Sequence, residues 1–368
     1  MNLITVTTCG TSTITHGQPR EKTTFINKRS NLQKSKYDPQ DLQDLDAIIL
    51  HQEEALEHAD NNAAKSLSAE LHGLIDYYES KGRALNTPGD IHYLIHTDTY
   101  QGGEAARLIQ EWGEHNGVKF IIQKIDSLNT ANVNDFHAGI NNLIKWCSDS
   151  LTGHDQNYRV IFNLVGGFKS LQGYMQTLGM FYAHETIYIF EAGGLLTIPR
   201  MPVDFDAQAK ESVREHLTAF RKMGELELIL DSSECAGIPD TLLMSDGKDC
   251  SLSEWGKVIW DKMKDEIYRE KLLPALNENI KYTEKMIRLA GELDGLHTGW
   301  QNSRIDMLSA FLAGGKMDGL KSVDYKKLKT QQGVSTHEFD LWNEGHMRGF
   351  CHEDGSAVVI DSIGRGLE

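Results

Sequence analysis

The chain has 368 residues, a mass of 41.3 kDa and a formal net charge of −16, which disfavours a broad basic groove for a long polyanion. The charge is uneven, because residues 251–368 carry 16 basic and 19 acidic side chains whereas residues 1–250 carry 21 and 34. Contact with extended RNA is therefore expected at the C-terminal end. No apolar run approaches the roughly 18 residues that a membrane span needs, and no secretion leader precedes the first predicted strand, so we expect a cytoplasmic protein without membrane contact.

The cysteines lie far apart in the sequence, and no C-x-x-C pair occurs among them. They are Cys9, Cys147, Cys235, Cys250 and Cys351. This spacing favours reduced thiols and argues against a zinc ribbon or a disulfide framework.

The first part of the chain alternates between predicted strands and predicted helices. Residues 3–6 form a short apolar strand, residues 18–62 are polar and indicate a surface insertion with one helix near 42–56, and residues 67–78 form an amphipathic helix. Further strands are predicted at residues 91–95, 118–122, 158–165 and 186–190, with helices between them. The pattern predicts an α/β domain with a doubly wound parallel sheet over residues 1–200.

Three loops of this domain directly follow predicted strands, and the carboxyl ends of parallel strands share one edge of the sheet. The first loop, around Thr8–Ser12, is small and rich in hydroxyls; the second contains Asp98; the third is Asn163-Leu-Val-Gly-Gly-Phe-Lys-Ser170. Glycines allow close approach of a ligand, helix N–H groups attract anions, and Lys169 adds a positive charge, so phosphate fits the third loop. An ordinary strand-to-helix turn explains the same spacing equally well.

The pattern changes after residue 200. Residues 201–265 form a helical connector, and helices are predicted at residues 266–293 and around 305–312. Short strands at residues 337–342, 346–352 and 357–363 follow, separated by Asn343-Glu344-Gly345 and Glu353-Asp354-Gly355, which are typical hairpin turns. Residues 266–368 are therefore predicted to form a small α+β domain with an antiparallel meander.

Together, the Thr8–Ser12 turn, the Asp98 loop and the N-L-V-G-G-F-K-S loop resemble the CARF family, the CRISPR-associated Rossmann-like sensors of cyclic oligoadenylate. The resemblance covers residues 1–200. It implies a homodimer in which two sensor domains enclose one cyclic ligand, commonly cyclic tetra-adenylate, across a two-fold axis. The residues that the resemblance assigns to the ligand are Thr8, Cys9, Gly10, Thr11, Ser12, Thr97, Asp98, Thr99, Asn163, Val165, Gly166, Gly167, Phe168 and Lys169.

Two nuclease types that accompany such sensors are disfavoured in the tail. The spacing between Arg348 and His352 is one residue too short for the Arg-x(4–6)-His motif of HEPN ribonucleases. The two halves of a PD-(D/E)xK motif, Asp240 and Asp246-Gly247-Lys248, lie too close together in the sequence. The meander instead resembles the RelE toxin family, which cuts mRNA in the ribosomal A site without a metal or other cofactor.

The RelE resemblance assigns catalytic roles to basic side chains of the tail. Arg348 matches the strand arginine of the family and Arg365 its late basic residue, and His346, two positions before Arg348 on the same predicted strand, has a side chain suited to proton transfer. Lys326, Lys327 and Lys329 complete the predicted set. The alternative for these lysines is the solvated end of a helix, and for His346 a hairpin surface residue.

Together, the two resemblances imply a homodimeric ribonuclease of type III CRISPR antiviral defence, activated by cyclic oligoadenylate, that cleaves mRNA on the ribosome. Two alternatives stay open. One is a regulator without catalysis whose tail binds DNA or a protein, and the other is a nuclease that acts on free RNA.

Overall fold

The chain divides into two compact units, Met1–Asp204 and Phe205–Glu368, in a computed structural model that describes residues 1–153, 157–190, 193–314 and 323–366. Residues 315–322 and 367–368 of the predicted effector domain lie outside these ranges. Both units combine helices with sheets, and the sheet of the first unit is mostly parallel, which confirms the mixed α/β class. Within the described ranges, no helix is long and apolar enough to cross a membrane.

The first unit is built on a six-stranded sheet with the order β3-β2-β1-β4-β5-β6. Its strands are β1 (Asn2–Thr8), β2 (Ile91–His96), β3 (Phe120–Lys124), β4 (Tyr158–Asn163), β5 (Glu185–Ile189) and β6 (Leu195–Pro199). The first five run parallel, and β6, which the sequence did not predict, is antiparallel to β5. Its helices are α1 (Ser12–Thr15), α2 (Arg20–Lys28), α3 (Pro39–Glu57), α4 (Asn61–Leu67), α5 (Ala69–Ser80), α6 (Tyr100–His115), α7 (Val133–Leu151) and α8 (Lys169–Tyr182).

The polar segment at residues 18–62 is part of the core, so its prediction as a surface insertion was wrong. Ile26 of α2 and Leu45, Ile49 and Leu56 of α3 are fully buried in the same apolar cluster as Leu3 of β1. Their spacing on α3 places them on one helical face, while the charged residues between them face solvent. The high overall polarity of the segment hid this apolar stripe.

A neutral histidine is fixed in the sheet of the first unit. His92 of β2 is buried, and its ring nitrogens contact the Thr5 hydroxyl (2.8 Å) and the Leu85 carbonyl oxygen (3.1 Å). Nε2–H donates to the carbonyl while Nδ1 accepts from the hydroxyl, so the neutral ring satisfies both contacts. Burial lowers the pKa of His92 to about 4.

The second unit contains a small three-stranded sheet and a five-stranded sheet. The first has the order β7-β9-β8 and the second β10-β14-β13-β12-β11. The strands are β7 (Leu230–Asp231), β8 (Leu243–Ser245), β9 (Asp249–Leu252), β10 (Ile280–Tyr282), β11 (Lys326–Gln332), β12 (Ser335–Trp342), β13 (Met347–Asp354) and β14 (Ala357–Arg365). The helices are α9 (Ala207–Glu215), α10 (Leu217–Glu225), α11 (Glu254–Glu270), α12 (Glu284–Gly291) and α13 (Gly295–Leu312).

Strands β12 to β14 form the predicted three-stranded antiparallel meander. Strand β11, which the sequence did not predict, adds an antiparallel strand beside β12, and β10 adds a parallel edge beside β14. The predicted helix over residues 266–293 was wrong, because α11 ends at Glu270, β10 follows, and α12 starts at Glu284. Pro274 interrupts the pattern. The side chain of Asn302 on α13 accepts from Leu273 N (2.9 Å) and donates to the carbonyl oxygens of Tyr268 (2.8 Å) and Lys271 (2.7 Å), which satisfies the end of α11.

A buried ion pair joins α10 and α13 in this unit. Arg221 Nε donates to Asp306 Oδ2 (3.2 Å), and both side chains are 2% exposed. The Tyr268 hydroxyl also donates to Asp306, and Arg221 Nη1 donates to Pro274 O (2.8 Å). Removing one charge would leave the other buried without a partner.

Cys235 and Cys250 form a disulfide bond, so the prediction of five reduced thiols was wrong for this pair. Cys235 ends a 3-10 turn (Ser232–Cys235) that follows β7, and β7 pairs with β9, which contains Cys250. Strand pairing brings together two residues that are distant in the sequence. Cys9, Cys147 and Cys351 are free and buried.

Candidate functional site

The three predicted ligand loops converge at the carboxyl edge of the parallel sheet. The Thr8 hydroxyl donates to Gly166 O (2.7 Å), and Cys9 N donates to Ile95 O (2.8 Å) at the end of β2. Gly10 lies so close to the third loop that an added Cβ would stand 2.6 Å from Gly167 N. The prediction that these loops share one edge is therefore confirmed, and Gly10 is required there by backbone contact.

A buried carboxylate that the sequence analysis missed organises these loops. Glu70, in the first turn of α5, is 1% exposed and accepts from Gly10 N (2.9 Å), from the hydroxyls of Ser68 (3.0 Å) and Thr13 (3.2 Å), and from the Ser12 hydroxyl. Its position at a helix N-terminus also favours a negative charge. The Gly10 N–H and the Ser12 hydroxyl, both predicted to face a ligand, thus already have an acceptor inside the protein.

Glu70 also explains the first glycine of the third loop. A Cβ on Gly166 would stand 2.1 Å from Glu70 Oε1, whereas Gly167 adopts a φ of +102°, a left-handed conformation that favours glycine. The Ser68-x-Glu70 pair at the start of α5 was the signal in the sequence, because a serine cap followed by a carboxylate marks a helix N-terminus. Its partners in the distant first loop could not be read from that signal.

Asn163 is fully buried and holds the third loop to its surroundings. Its Nδ2 donates to Glu70 O (2.8 Å) and to the Thr7 hydroxyl (3.3 Å), and its Oδ1 accepts from Val165 N (3.4 Å). The burial of Cys9 raises the pKa of its thiol well above the ordinary value, and the nearby Glu70 charge raises it further. Asn163 and Cys9 are therefore both buried, and Asn163 holds the third loop in position through its hydrogen bonds.

The Asp98 loop is likewise tied to its own neighbours. The hydroxyls of Thr97 and Thr99 are 2.8 Å apart, and Thr99 caps α6 by accepting from Gly102 N (3.2 Å). The Asp98 carboxylate accepts from Ser127 N (3.3 Å) and lies 3.5 Å from Lys124 Nζ. These contacts fix the loop after β3 to the loop after β2.

The exposed part of this edge surrounds the start of α8. Lys169 is exposed at the first position of α8, and the preceding residue, Phe168, provides no side-chain cap for the helix N–H groups. Such an end is a favourable place for an anion. Other predicted ligand residues at this edge are partly exposed, namely Thr11, Ser12, Asp98, Val165, Gly167 and Phe168.

In the second unit, Arg348 lies on the central strand β13 between two carboxylates. Its Nη1 contacts Asp340 Oδ1, which belongs to the residue opposite on β12, and lies 3.3 Å from Asp324 Oδ2. Its side chain is 21% exposed. The charge of Arg348 is therefore largely neutralised by its own unit.

His346 does not lie on the strand with Arg348, so the predicted two-residue alternation between them was wrong. It ends a 3-10 turn (Glu344–His346), has a φ of +50°, and β13 begins at the next residue. The turn forms because Gly345 takes a φ of +69° at the hairpin. His346 is exposed, and its carbonyl oxygen accepts from Gly366 N (2.8 Å), just beyond Arg365, the exposed last residue of β14. The backbone thus brings His346 and Arg365 to the same end of the meander.

The three lysines lie on the edge strand β11, which excludes the helix-end alternative. Lys326, Lys327 and Lys329 are exposed, and Lys326 Nζ contacts Asp324 and lies 3.8 Å from Glu338 Oε1. The hydrogen bond from Lys326, with a further contribution from Arg348, lowers the pKa of Asp324. Asp324 therefore joins the first of the three lysines to the central arginine.

A second titratable cluster on this sheet escaped the sequence analysis. The rings of Tyr325 and His337 stack with centroids 5.2 Å apart, and Glu353 Oε1 lies 3.2 Å from the Tyr325 hydroxyl and 3.7 Å from His337 Nε2. Burial, with nearby carboxylates, raises the pKa of Cys351 to about 12. Across the described residues, no three His, Cys, Asp or Glu side chains are grouped so as to hold a metal ion.

Comparison with protein-family models finds one relevant match. Residues 65–201 match the model of a family described as CRISPR-associated protein (Cas_APE2256). This match supports a CRISPR association. It covers α5 with Glu70, the Asp98 loop and the third loop with Lys169, and it stops before the second unit. A comparison with curated proteins finds no match.

Proposed function

We propose that the chain is a ribonuclease activated by cyclic oligoadenylate, with a Rossmann-like CARF sensor in the first unit and a RelE-like effector in the second. The observation that carries the sensor assignment is the CRISPR-associated family match over residues 65–201, which include two of the three loops that converge at the sheet edge. The effector assignment is supported by basic residues on a small antiparallel sheet, Lys326 at its edge and Arg348 at its centre.

In the proposed sensor, Lys169 and the N-terminal N–H groups of α8 bind phosphate of cyclic tetra-adenylate, and two copies of the unit enclose one ring. Ser12, Val165, Gly167 and Phe168 lie near enough to the surface to contact it. The buried members of the set, among them Thr8, Gly10 and Asn163, act by positioning the loops. This division follows from their burial and from the acceptor that Glu70 provides for the Gly10 N–H.

In the proposed effector, the 2′-hydroxyl of the RNA attacks the adjacent phosphorus and the bond to the next 5′-oxygen breaks. The products are a 2′,3′-cyclic phosphate and a 5′-hydroxyl, so one proton leaves O2′ and one reaches O5′. Arg348 and Arg365 stabilise the additional negative charge of the transition state. His346, exposed beside Arg365, transfers a proton.

The contacts of Arg348 indicate what activation has to change in this effector. A guanidinium held between Asp340 and Asp324 is a weak partner for phosphate until one carboxylate moves away or is displaced by the RNA. Since Asp324 also binds Lys326, movement of this one residue would remove one carboxylate from each cation and leave Arg348 with Asp340 alone. Binding of the activator shifts the effector towards the released arrangement by its differential affinity for that state.

The test uses the purified chain, programmed ribosomes with mRNA, and naked mRNA, each with and without cyclic tetra-adenylate and with EDTA present. The proposal predicts cleavage that requires the activator, persists in EDTA and maps to the ribosomal A site. Equal cleavage of naked RNA would instead favour a free-RNA nuclease. Intact RNA combined with activator-dependent binding to DNA or a protein would favour a regulator without catalysis.

A further inference from the structure

A pocket of about 520 Å³ opens beside the candidate catalytic turn and has no role in the chemistry described above. It lies between α13, which contributes Trp300, Arg304 and Met307, and the end of β12, which contributes Trp342. Its volume is within the range of small-ligand sites, roughly 300–1,000 Å³. We propose that this pocket binds one unpaired base of a single-stranded RNA; the inference rests on the proposed ribonuclease function and extends it to substrate recognition.

The aromatic wall of the pocket is held in place from behind. The ring centroids of Trp300 and Trp342 are 6.2 Å apart and their planes meet at 48°, so the two indoles are splayed and do not stack on each other. His297 packs against both rings, at 5.2 and 5.1 Å, and its Nδ1 lies 2.7 Å from Asp294 Oδ2. Trp342 is buried and forms the rear wall, whereas Trp300 is partly exposed and provides the platform. Flat aromatic surfaces of this kind bind bases of any sequence by stacking.

A few polar groups and two apolar side chains, Met307 and Leu341, line the rest of the pocket. Arg304 is anchored through its Nε, which donates to Leu341 O (3.1 Å), and burial lowers its pKa. Ser303, Asn343 and Glu344 also line the pocket and supply both hydrogen-bond donors and acceptors. A base edge presents donors and acceptors in the plane of its ring, so this mixture suits a base better than it suits an aliphatic side chain.

The position of the pocket connects it to the proposed cleavage site. Asn343 directly precedes, and Glu344 begins, the 3-10 turn that ends at His346, and Trp342 pairs across the sheet with Met347, the neighbour of Arg348. A base held by Trp300 would therefore anchor the strand next to the phosphate that these side chains act on. The exposed lysines of β11 belong to the same sheet and suit the backbone of such a strand.

The test measures binding without cleavage. The probe is an RNA trinucleotide that carries 2-aminopurine in the centre, with 2′-O-methyl groups to prevent cutting, and its fluorescence is titrated with the full chain in the presence and absence of cyclic tetra-adenylate. Trp300→Leu keeps an apolar side chain but removes the stacking surface, and Trp300→Phe restores an aromatic ring. Trp255→Leu on α11 is the matched control, since Trp255 is also a partly buried tryptophan of this unit.

We expect quenching by the wild-type chain and a loss of affinity of about 5- to 150-fold in Trp300→Leu, the range for one stacked base. Trp300→Phe and Trp255→Leu should stay within about threefold of wild type on the same scale. Ser303→Phe fills the pocket without removing a core side chain, so it should weaken binding even if Trp300→Leu fails to fold by circular dichroism. Unquenched probe with wild type, or equal affinity in Ser303→Phe and wild type, would overturn the inference.

These outcomes are separable from the proposed function. If the wild type cuts ribosomal mRNA but Ser303→Phe binds the trinucleotide as tightly as wild type, the pocket assignment fails and the ribonuclease remains. If the trinucleotide binds through Trp300 but no RNA is cut under any condition, the pocket assignment stands and the ribonuclease proposal fails.

Discussion

Glu70 gives the sharpest prediction about the sensor loops, because one buried carboxylate accepts hydrogen bonds from four residues in two parts of the chain, the first loop and the start of α5. Glu70→Ala leaves the Gly10 N–H and three hydroxyls without this acceptor, and we expect it to lower the free energy of unfolding by about 3–5 kcal/mol. Glu70→Gln keeps one acceptor oxygen, and the hydroxyls can turn to meet the amide, so about 1–2 kcal/mol is expected.

The assay is native-state hydrogen exchange of β1 and α5 in the full chain, which reports the first unit alone. Glu79→Gln is the matched control on the same helix, because Glu79 is half exposed and pairs with Lys65 (2.6 Å), so its loss should change stability by less than about 1 kcal/mol. If both Glu70 variants exchanged like the control, the carboxylate would not organise these loops and the reasoning would fail.

Three further predictions concern contacts inside one or the other unit. Because the folded-state pKa of His92 is about 4, below the ordinary 6.5, the first unit should lose up to roughly 3 kcal/mol of stability as pH falls from about 6.5 towards 4. In urea unfolding, His92→Gln should flatten this pH profile, whereas His51→Gln, at an exposed histidine, should leave it unchanged. Gly10→Ala should destabilise the first unit and weaken binding of cyclic tetra-adenylate in calorimetry. The control Gly173→Ala, on the exposed face of α8 with open space around it, should stabilise the unit by about 0.5–1 kcal/mol. Equal melting temperatures of the two variants would refute the close packing of Gly10 against Gly167. Asp306→Asn should cost about 3–5 kcal/mol in the second unit by leaving a buried arginine unpaired, and a change below 1 kcal/mol in denaturant unfolding would contradict the buried pair.

The sequence predicted the parallel strands of the first unit well, because each is a short apolar run between turn residues, as in β4 before Gly166 and Gly167. It also predicted that the loops after β1, β2 and β4 meet at one edge, which follows from parallel pairing alone. It could not predict that Glu70 occupies the inside of this edge, since that depends on hydrogen bonds between residues about 60 positions apart. The contacts of Asn163 and Gly10 with Glu70 were unpredictable for the same reason.

In the second unit the meander was predictable from its alternating strands and its glycine turns. Helical periodicity misled the analysis over residues 266–293, where Pro274 and the side chain of Asn302 end the helix early. The disulfide partners and the Tyr325–His337–Glu353 cluster depend on strand register, which composition and spacing do not specify. The position of His346 depended on the left-handed backbone of a single turn.

The most direct test of the central claim compares wild type, Arg348→Ala and Arg288→Ala on programmed ribosomes with saturating cyclic tetra-adenylate, with 5′ ends of the mRNA fragments mapped by primer extension. Arg288 is an exposed arginine of α12 in the same unit and controls for loss of a surface charge. Loss of one transition-state contact costs about 100- to 1,000-fold in rate, so Arg348→Ala should cut that much more slowly while Arg288→Ala cuts like wild type. Full activity of Arg348→Ala, or intact mRNA with the activated wild type, would contradict the account.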